Sequence, residues 1–480
     1  MQNIHTVTFI PENLNKSVLI FYLALLGIFL IAGLGYLLWN GKFMYLALIA
    51  AIPLALLIIS NPKLAVGQYI LFLFYSRWIL DSPLLFADVS GFLLISAASL
   101  DLFSDSRIPQ RLPRLSINFL AILSVIAFAG LFSYLTEAAI RPFGRVTLLF
   151  LHFLAMYRLS GKVSLSWSLN LFYWLAVIHS IFVVIPFLIS KGTIRSFGFA
   201  PVEMAMLALV IATAKFLWAR KGEAWIYLSG MFIILFALLS TQYRSLIIGG
   251  IVMSAIVAFV SRRRAKNELR ELSGTVENTN FKEFRSVKNR PLYLLSGLIL
   301  SVLLVFMVYP QLLDPLIERF EGLVAARLPG SVIMRMTLWK HAWSQFVENP
   351  LTGMGPGLFI HIQNIIPTIR MDFYYKFVHG LSAHNLLLHY LAEAGIFGGI
   401  AVIAIMFNQM RLSVMTWLVS SDINKLRVSA MLFGIAFTIL TTTMTESSWL
   451  WGQSSLVFAF FVSLISRNYT ELVDSQKAES

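Results

Sequence analysis

The chain has 480 residues, of which 58% are hydrophobic and 12% charged, with a formal net charge of +14 and no cysteine. Soluble domains carry about twice that charged fraction, so a water-soluble globular fold is excluded, and without a thiol so are disulfide frameworks and thiolate metal sites. The basic residues fall mostly in short segments between apolar runs, which points to membrane topology and anionic headgroups rather than to nucleic acid.

Residues 1–16 are polar and the first apolar run is long enough to span, so no cleavable leader is expected there. Apolar runs lie near 18–39, 43–60, 65–80, 84–104, 116–135, 145–159, 167–190, 200–219, 224–240, 245–261, 291–309, 384–409, 428–445 and 450–466. They are continuous rather than alternating, which predicts an all-α polytopic membrane protein and not a β-barrel. The runs at 65–80 and 145–159 are short for a span, so the expectation is about 12–14 transmembrane helices.

Alternate connections carry Lys63; Arg107, Arg111 and Arg114; Lys162; Arg220 and Lys221; Arg262, Arg263, Arg264 and Lys266; and Lys425 with Arg427. The positive-inside rule assigns that side, and both termini, to the cytoplasm. The chain then divides into N-terminal transmembrane helices over 1–309, with a charged cytoplasmic loop at 262–290, and a large outer loop over 310–383. C-terminal transmembrane helices over 384–466 and a polar cytoplasmic tail over 467–480, expected to fray, complete it. The outer loop is far longer than an ordinary connection, which favours a functional role. Its Trp339, Trp343, Phe346, Phe359, Phe373, Tyr374 and Tyr375 suit short helices lying in the interface.

Four polar elements converge on the outer face. They are the Arg195 loop between Gly192 and Gly198, the stretch Thr241-Gln242-Tyr243-Arg244, Arg335 in the large loop, and His384-Asn385 at the entry of an apolar helix. Arginine matches phosphate oxygens with a planar fork and stays charged. Each arginine taken singly also fits headgroup snorkelling, and a lone histidine at a helix entry fits a simple cap. The turn Asn349-Pro350-Leu351-Thr352-Gly353-Met354-Gly355-Pro356-Gly357 reads either as a plain turn or as a phosphate cradle. Gly395 and the pair Gly398-Gly399 suggest a helix break or close helix packing. Glu446 is placed as an interfacial carboxylate or an arginine partner. His341, His361, His379 and His389 lack ligand spacing, so a metal-independent site without a cofactor is expected.

Together these motifs resemble the bacterial O-antigen ligase and Wzy-type polymerase superfamily. The resemblance rests on His384-Asn385 with Gly395 and Gly398, on Arg335-x-x-Leu338-Trp339 followed by the Gly-rich turn, and on Thr241 to Arg244. Where relatives often have Asn-Pro-Asn, this chain has Ala200-Pro201-Val202-Glu203. The resemblance implies a GT-C-like inverting glycosyltransferase in the inner membrane, with its active site facing the periplasm. The donor would be a glycan on undecaprenyl diphosphate, and the acceptor lipid A-core for a ligase or a lipid-linked glycan for a polymerase. It implies that Arg195, Arg244 and Arg335 hold the diphosphate, that His384 acts as base or orienter, and that Asn385, Tyr243 and Glu446 support them. A flippase for lipid-linked oligosaccharide is the rival outside enzymes, but no paired halves are visible in the sequence.

Overall fold

The computed structural model describes residues 43–74, 86–104, 112–133, 135–190, 202–219, 222–241, 244–271, 330–359, 382–420, 422–444 and 454–479, with isolated positions around 287–299, at 307 and at 450. Among these residues there are helices and no strand. The chain forms two compact units, Met1–Asn61 and Pro62–Ser480. The first contributes α1 (Phe43–Ser60), an apolar helix with Pro53 inside it.

The second unit contains α2 (Pro62–Leu73), α3 (Phe86–Ser104), α4 (Ser116–Leu131), α5 (Thr136–Ser160), α6 (Leu165–Ile189), α7 (Val202–Trp218), α8 (Ala224–Thr241) and α9 (Arg244–Glu271). It continues with α10 (Gly330–Glu348), α11 (Leu386–Val419), α12 (Ile423–Thr442) and α13 (Ser455–Glu479). Seven helices among the described residues are long and apolar enough to cross a membrane, namely α5, α6, α8, α9, α11, α12 and α13. The outer surface carries large apolar side chains such as Phe103, Leu131, Ile140 and Ile189, each more than two-thirds exposed. A soluble protein would bury such a surface, and a lipid-facing bundle does not need to. This is an all-α, multi-pass membrane protein. The runs at 18–39 and most of 291–309, which enter the expected 12–14 spans, lie outside the described residues.

Two expectations are corrected. The polar tail does not fray at 467, because α13 runs on to Glu479. Arg467 pairs with Glu471 one turn on (2.9 Å), Tyr157 of α5 donates to Thr470 (3.1 Å), and Tyr469 is buried. Polar composition hid a packed face. Likewise α9 continues through Arg262, Arg263 and Arg264 to Glu271, with an Arg264–Glu268 ion pair one turn apart. Of the expected 262–290 loop, residues 272–286 lie outside the described residues.

The run at 145–159 is short because a charge interrupts it, not because the helix is short. α5 begins at Thr136, which puts Arg145 inside the bundle. Its guanidinium meets both oxygens of Asp88 on α3 (2.6 and 2.7 Å) and donates to the Ser455 hydroxyl on α13. Both charged side chains are buried, and the short charge-assisted bonds from Nη1 to both carboxylate oxygens, with Nε and Nη2 taken by Ser455, offset their desolvation. Arginines also serve as caps. The last carbonyls of α7, left without helical partners, receive Arg290, bonded to Phe216, Leu217 and Ala219, and Arg427, bonded to Trp218.

Candidate active site

The site is built where α10 and the Gly-rich turn dock on α11. At 34 residues, α11 would extend about 50 Å as a straight helix. It is not straight. Gly395 has φ 64° and ψ −158°, a conformation open to glycine and strained for any other residue. The break divides a short leg, 386–394, from a membrane-length leg, 396–419.

A break in a helix strands backbone groups, and here the Gly-rich turn satisfies them. Ile396 N–H donates to the Pro350 carbonyl (2.8 Å), Met354 N–H to Ala392 (2.8 Å) and Gly355 N–H to Glu393 (3.0 Å). The approach is close enough to require glycine on both sides. A Cβ on Gly353 would lie 2.4 Å from the Glu393 carbonyl carbon, and one on Gly395 would lie 2.4 Å from that of Leu351. Gly357 is pressed against the Ala138 carbonyl of α5 in the same way. This favours the plain-turn reading over the phosphate cradle. The N–H groups of Gly353, Met354, Gly355, Leu358 and Phe359 are all bonded to protein oxygens, so the turn is a clamp on α11. Gly395 is the helix break that its composition suggested.

Beneath the clamp lies a buried cluster of Leu338, Ala342, Met354, Leu358, Phe359, Ala383 and Ala392. Glu393, also buried, accepts the Phe359 N–H through Oε1 (3.2 Å), and its Oε2 lies 3.6 Å from His389 Nε2. The Phe359 ring sits between His341 (5.4 Å) and His389 (5.6 Å). His341 lies on α10, where burial lowers its pKa below the ordinary value and Glu348 partly opposes the shift.

His384 and Asn385 open the short leg. Asn385 is the N-cap: its Oδ1 accepts from Leu388 N–H (3.0 Å) and its Nδ2 donates to the Met444 carbonyl (3.2 Å). Leu386 N–H donates to Thr443, so the entry of α11 is pinned to the end of α12. His384 is half-buried and has φ 48°, the single positive φ outside glycine among the described residues. Histidine tolerates this left-handed region better than most side chains, yet the posture remains uncommon.

The sequence-derived residues divide as follows. His384 and Arg335 flank one cluster, since Ala383 belongs to it and Met334 packs against it. Arg335 is half-buried on α10. Arg244 begins α9. Arg195, Tyr243 and Glu446 lie outside the described residues. Sequence reading missed Glu393, whose signal was a His-x-x-x-Glu spacing that places two polar groups on one face of an apolar helix.

Compared with known families, residues 200–403 match the model described as O-antigen ligase. The matched segment is similar to the O-antigen ligase family and spans less than half of the chain. The match supports the O-antigen ligase and polymerase superfamily, whose members are glycosyltransferase-like and use lipid-linked glycans in a membrane. No curated protein matches the chain. The matched segment contains Arg244, Arg335, His384, Asn385 and the whole clamp from Asn349 to Gly395. Arg195 and Glu446 fall outside it.

Proposed function

We propose that the protein transfers a glycan from undecaprenyl diphosphate to a hydroxyl of lipid A-core, at the periplasmic face of the inner membrane. The observation that carries this reading is the posture of His384. Its backbone is held at φ 48° directly before a helix pinned by Asn385, Thr443 and the Gly-rich clamp. Such strain persists only where the surroundings over-determine it, and it concentrates at working sites.

In the proposed reaction the acceptor hydroxyl oxygen attacks the anomeric carbon, and the bond from that carbon to the diphosphate oxygen breaks. The diphosphate leaves with the electron pair. His384 accepts the hydroxyl proton or orients the hydroxyl. Arg335, with Arg244 and Arg195, stabilises the charge developing on the leaving group. Inversion follows from the single displacement. No nucleotide is required, because the diphosphate is already the leaving group.

The test is transfer activity of His384→Ala and Arg335→Ala chains that insert normally in the membrane. Full retention by both variants refutes the assignment. A polymerase would run the same chemistry on a lipid-linked acceptor, and the glycan profile of a deletion strain separates the two. Long polymer stranded on the carrier supports the ligase, whereas single repeat units would make it a polymerase.

A further inference from the structure

The end of the bundle farthest from His384 carries a second candidate site. α5 connects the two. Ala138, near its start, touches the clamp, and Tyr157 and Arg158, near its end, line a cavity of about 550 Å3. The helix between them is about 30 Å long, the thickness of a bilayer's hydrocarbon core. The cavity therefore lies at the opposite membrane boundary.

Its walls are cationic. Arg114, Arg158, Lys162, Arg467 and Lys477 line it, and Asp474 is the one lining carboxylate among the described residues. Arg158 and Lys162 share Asp101 at the end of α3, and Arg467 pairs with Glu471. Among the described residues, Asp101 and Glu471 thus partner three of the five cations. Arg114 stands 4.7 Å from the centre of the Tyr469 ring and has no carboxylate partner among the described residues. A guanidinium without a carboxylate beside it suits phosphate oxygens.

The surroundings are apolar as well as charged. Leu112 lines the cavity and is 69% exposed. Beyond it α4 presents Ile117, Leu120, Phe128 and Leu131, all exposed and on one face. A soluble anion would satisfy the cations alone. A lipid satisfies the cations with its headgroup and the helix face with its chains.

We propose that this cavity binds the phosphodiester headgroup of an anionic phospholipid, with its acyl chains lying along the exposed face of α4. Basic pockets between helices at a membrane boundary recognise such headgroups. The inference is independent of the transferase reading, since it uses no residue of that site.

The test reconstitutes the full chain in phosphatidylcholine bilayers containing a minor fraction of phosphatidylglycerol, then reads retained lipid by native mass spectrometry. Wild-type protein should retain phosphatidylglycerol selectively. The doubly substituted R114Q/R467Q chain should retain about thirtyfold less, which is about 2 kcal/mol at about 1 kcal/mol per basic residue near an anionic surface. Asp474→Asn removes a carboxylate that makes no ion pair among the described residues, and it should raise retention. A gain of that kind cannot come from misfolding. Unchanged retention in R114Q/R467Q, or equal retention of phosphatidylcholine, overturns the proposal. So does displacement of the lipid by millimolar inorganic phosphate, which would reassign the cavity to a soluble anion.

Discussion

The clamp on α11 makes Gly395→Ala the most informative perturbation. In the native chain Gly395 sits at φ 64° and ψ −158°, where an alanine is strained by about 1–3 kcal/mol. Its new methyl would also lie 2.4 Å from the carbonyl carbon and oxygen of Leu351. Those are backbone atoms, so the contact is relieved only by moving the turn. Moving the turn breaks the bonds from Ile396 to Pro350, from Met354 to Ala392 and from Gly355 to Glu393. Each is worth about 1 kcal/mol net. Together these terms oppose docking of the turn by about 4–6 kcal/mol. α11 has an escape, because with alanine it straightens and Ile396 bonds to Ala392 within the helix. The expected result is a folded, inserted protein with an undocked turn and lost transfer activity. Hydrogen exchange read at the amides of Met354 and Gly355 is the assay. If both stay as protected in Gly395→Ala as in wild type, these bonds do not hold the turn on α11.

Three further outcomes follow from the same geometry. Asp88→Ala leaves Arg145 buried and unpaired and should destabilise the bundle by about 3–5 kcal/mol, read as a lowered melting temperature in detergent; the pair replacement Asp88→Leu with Arg145→Met should recover much of it, and an unshifted single-variant melt argues against the pairing. Asn385→Ala removes the cap that precedes α11 and should cost about 0.5–2 kcal/mol, while activity falls more than stability because His384 immediately precedes it; equal losses in both would make Asn385 merely structural. For His341, folded-state depression of the pKa means the unfolded chain binds more protons below about 6.5, so stability should fall as pH drops through that range. His341→Gln should flatten that part of the pH–stability curve, and a curve identical to wild type refutes the assignment.

The helices were legible because lipid imposes one rule on long apolar runs. The run at 43–60 and α1 coincide, and the run at 167–190 differs from α6 by two residues at its start and one at its end. What escaped was pairing across distance. Arg145 looked like the polar edge of a short run, because Asp88, 57 residues earlier, is invisible as its partner until the fold is known. The α13 tail looked solvated, because Tyr157 and Arg114, which cover Tyr469 and Thr470, come from other helices. Gly395 was legible as a break, since glycine inside an apolar helix weakens it locally. Its partner turn was not, since nothing in Asn349 to Gly357 says which carbonyls its N–H groups will meet.

The break also explains why His384 is placed on a short leg rather than at the head of an unbroken span. A 34-residue helix anchored only by its membrane-length part would sweep its first residue through every bend of the bundle. The nine-residue leg over 386–394 is instead held at both ends. Asn385 and Leu386 tie its start to Met444 and Thr443, and Ala392 and Glu393 tie its end to the turn. Glu393 adds a side-chain bond to Phe359, so backbone and side chain of one residue secure the same contact. Replacing Glu393 by Gln keeps an acceptor for the Phe359 N–H, whereas Glu393→Ala leaves that buried donor unmet at about 1–3 kcal/mol. Transfer activity should therefore survive Gln and fail with Ala. The reverse order would mean that Glu393 acts through its charge, with His389, and that the leg is more than a mount for His384.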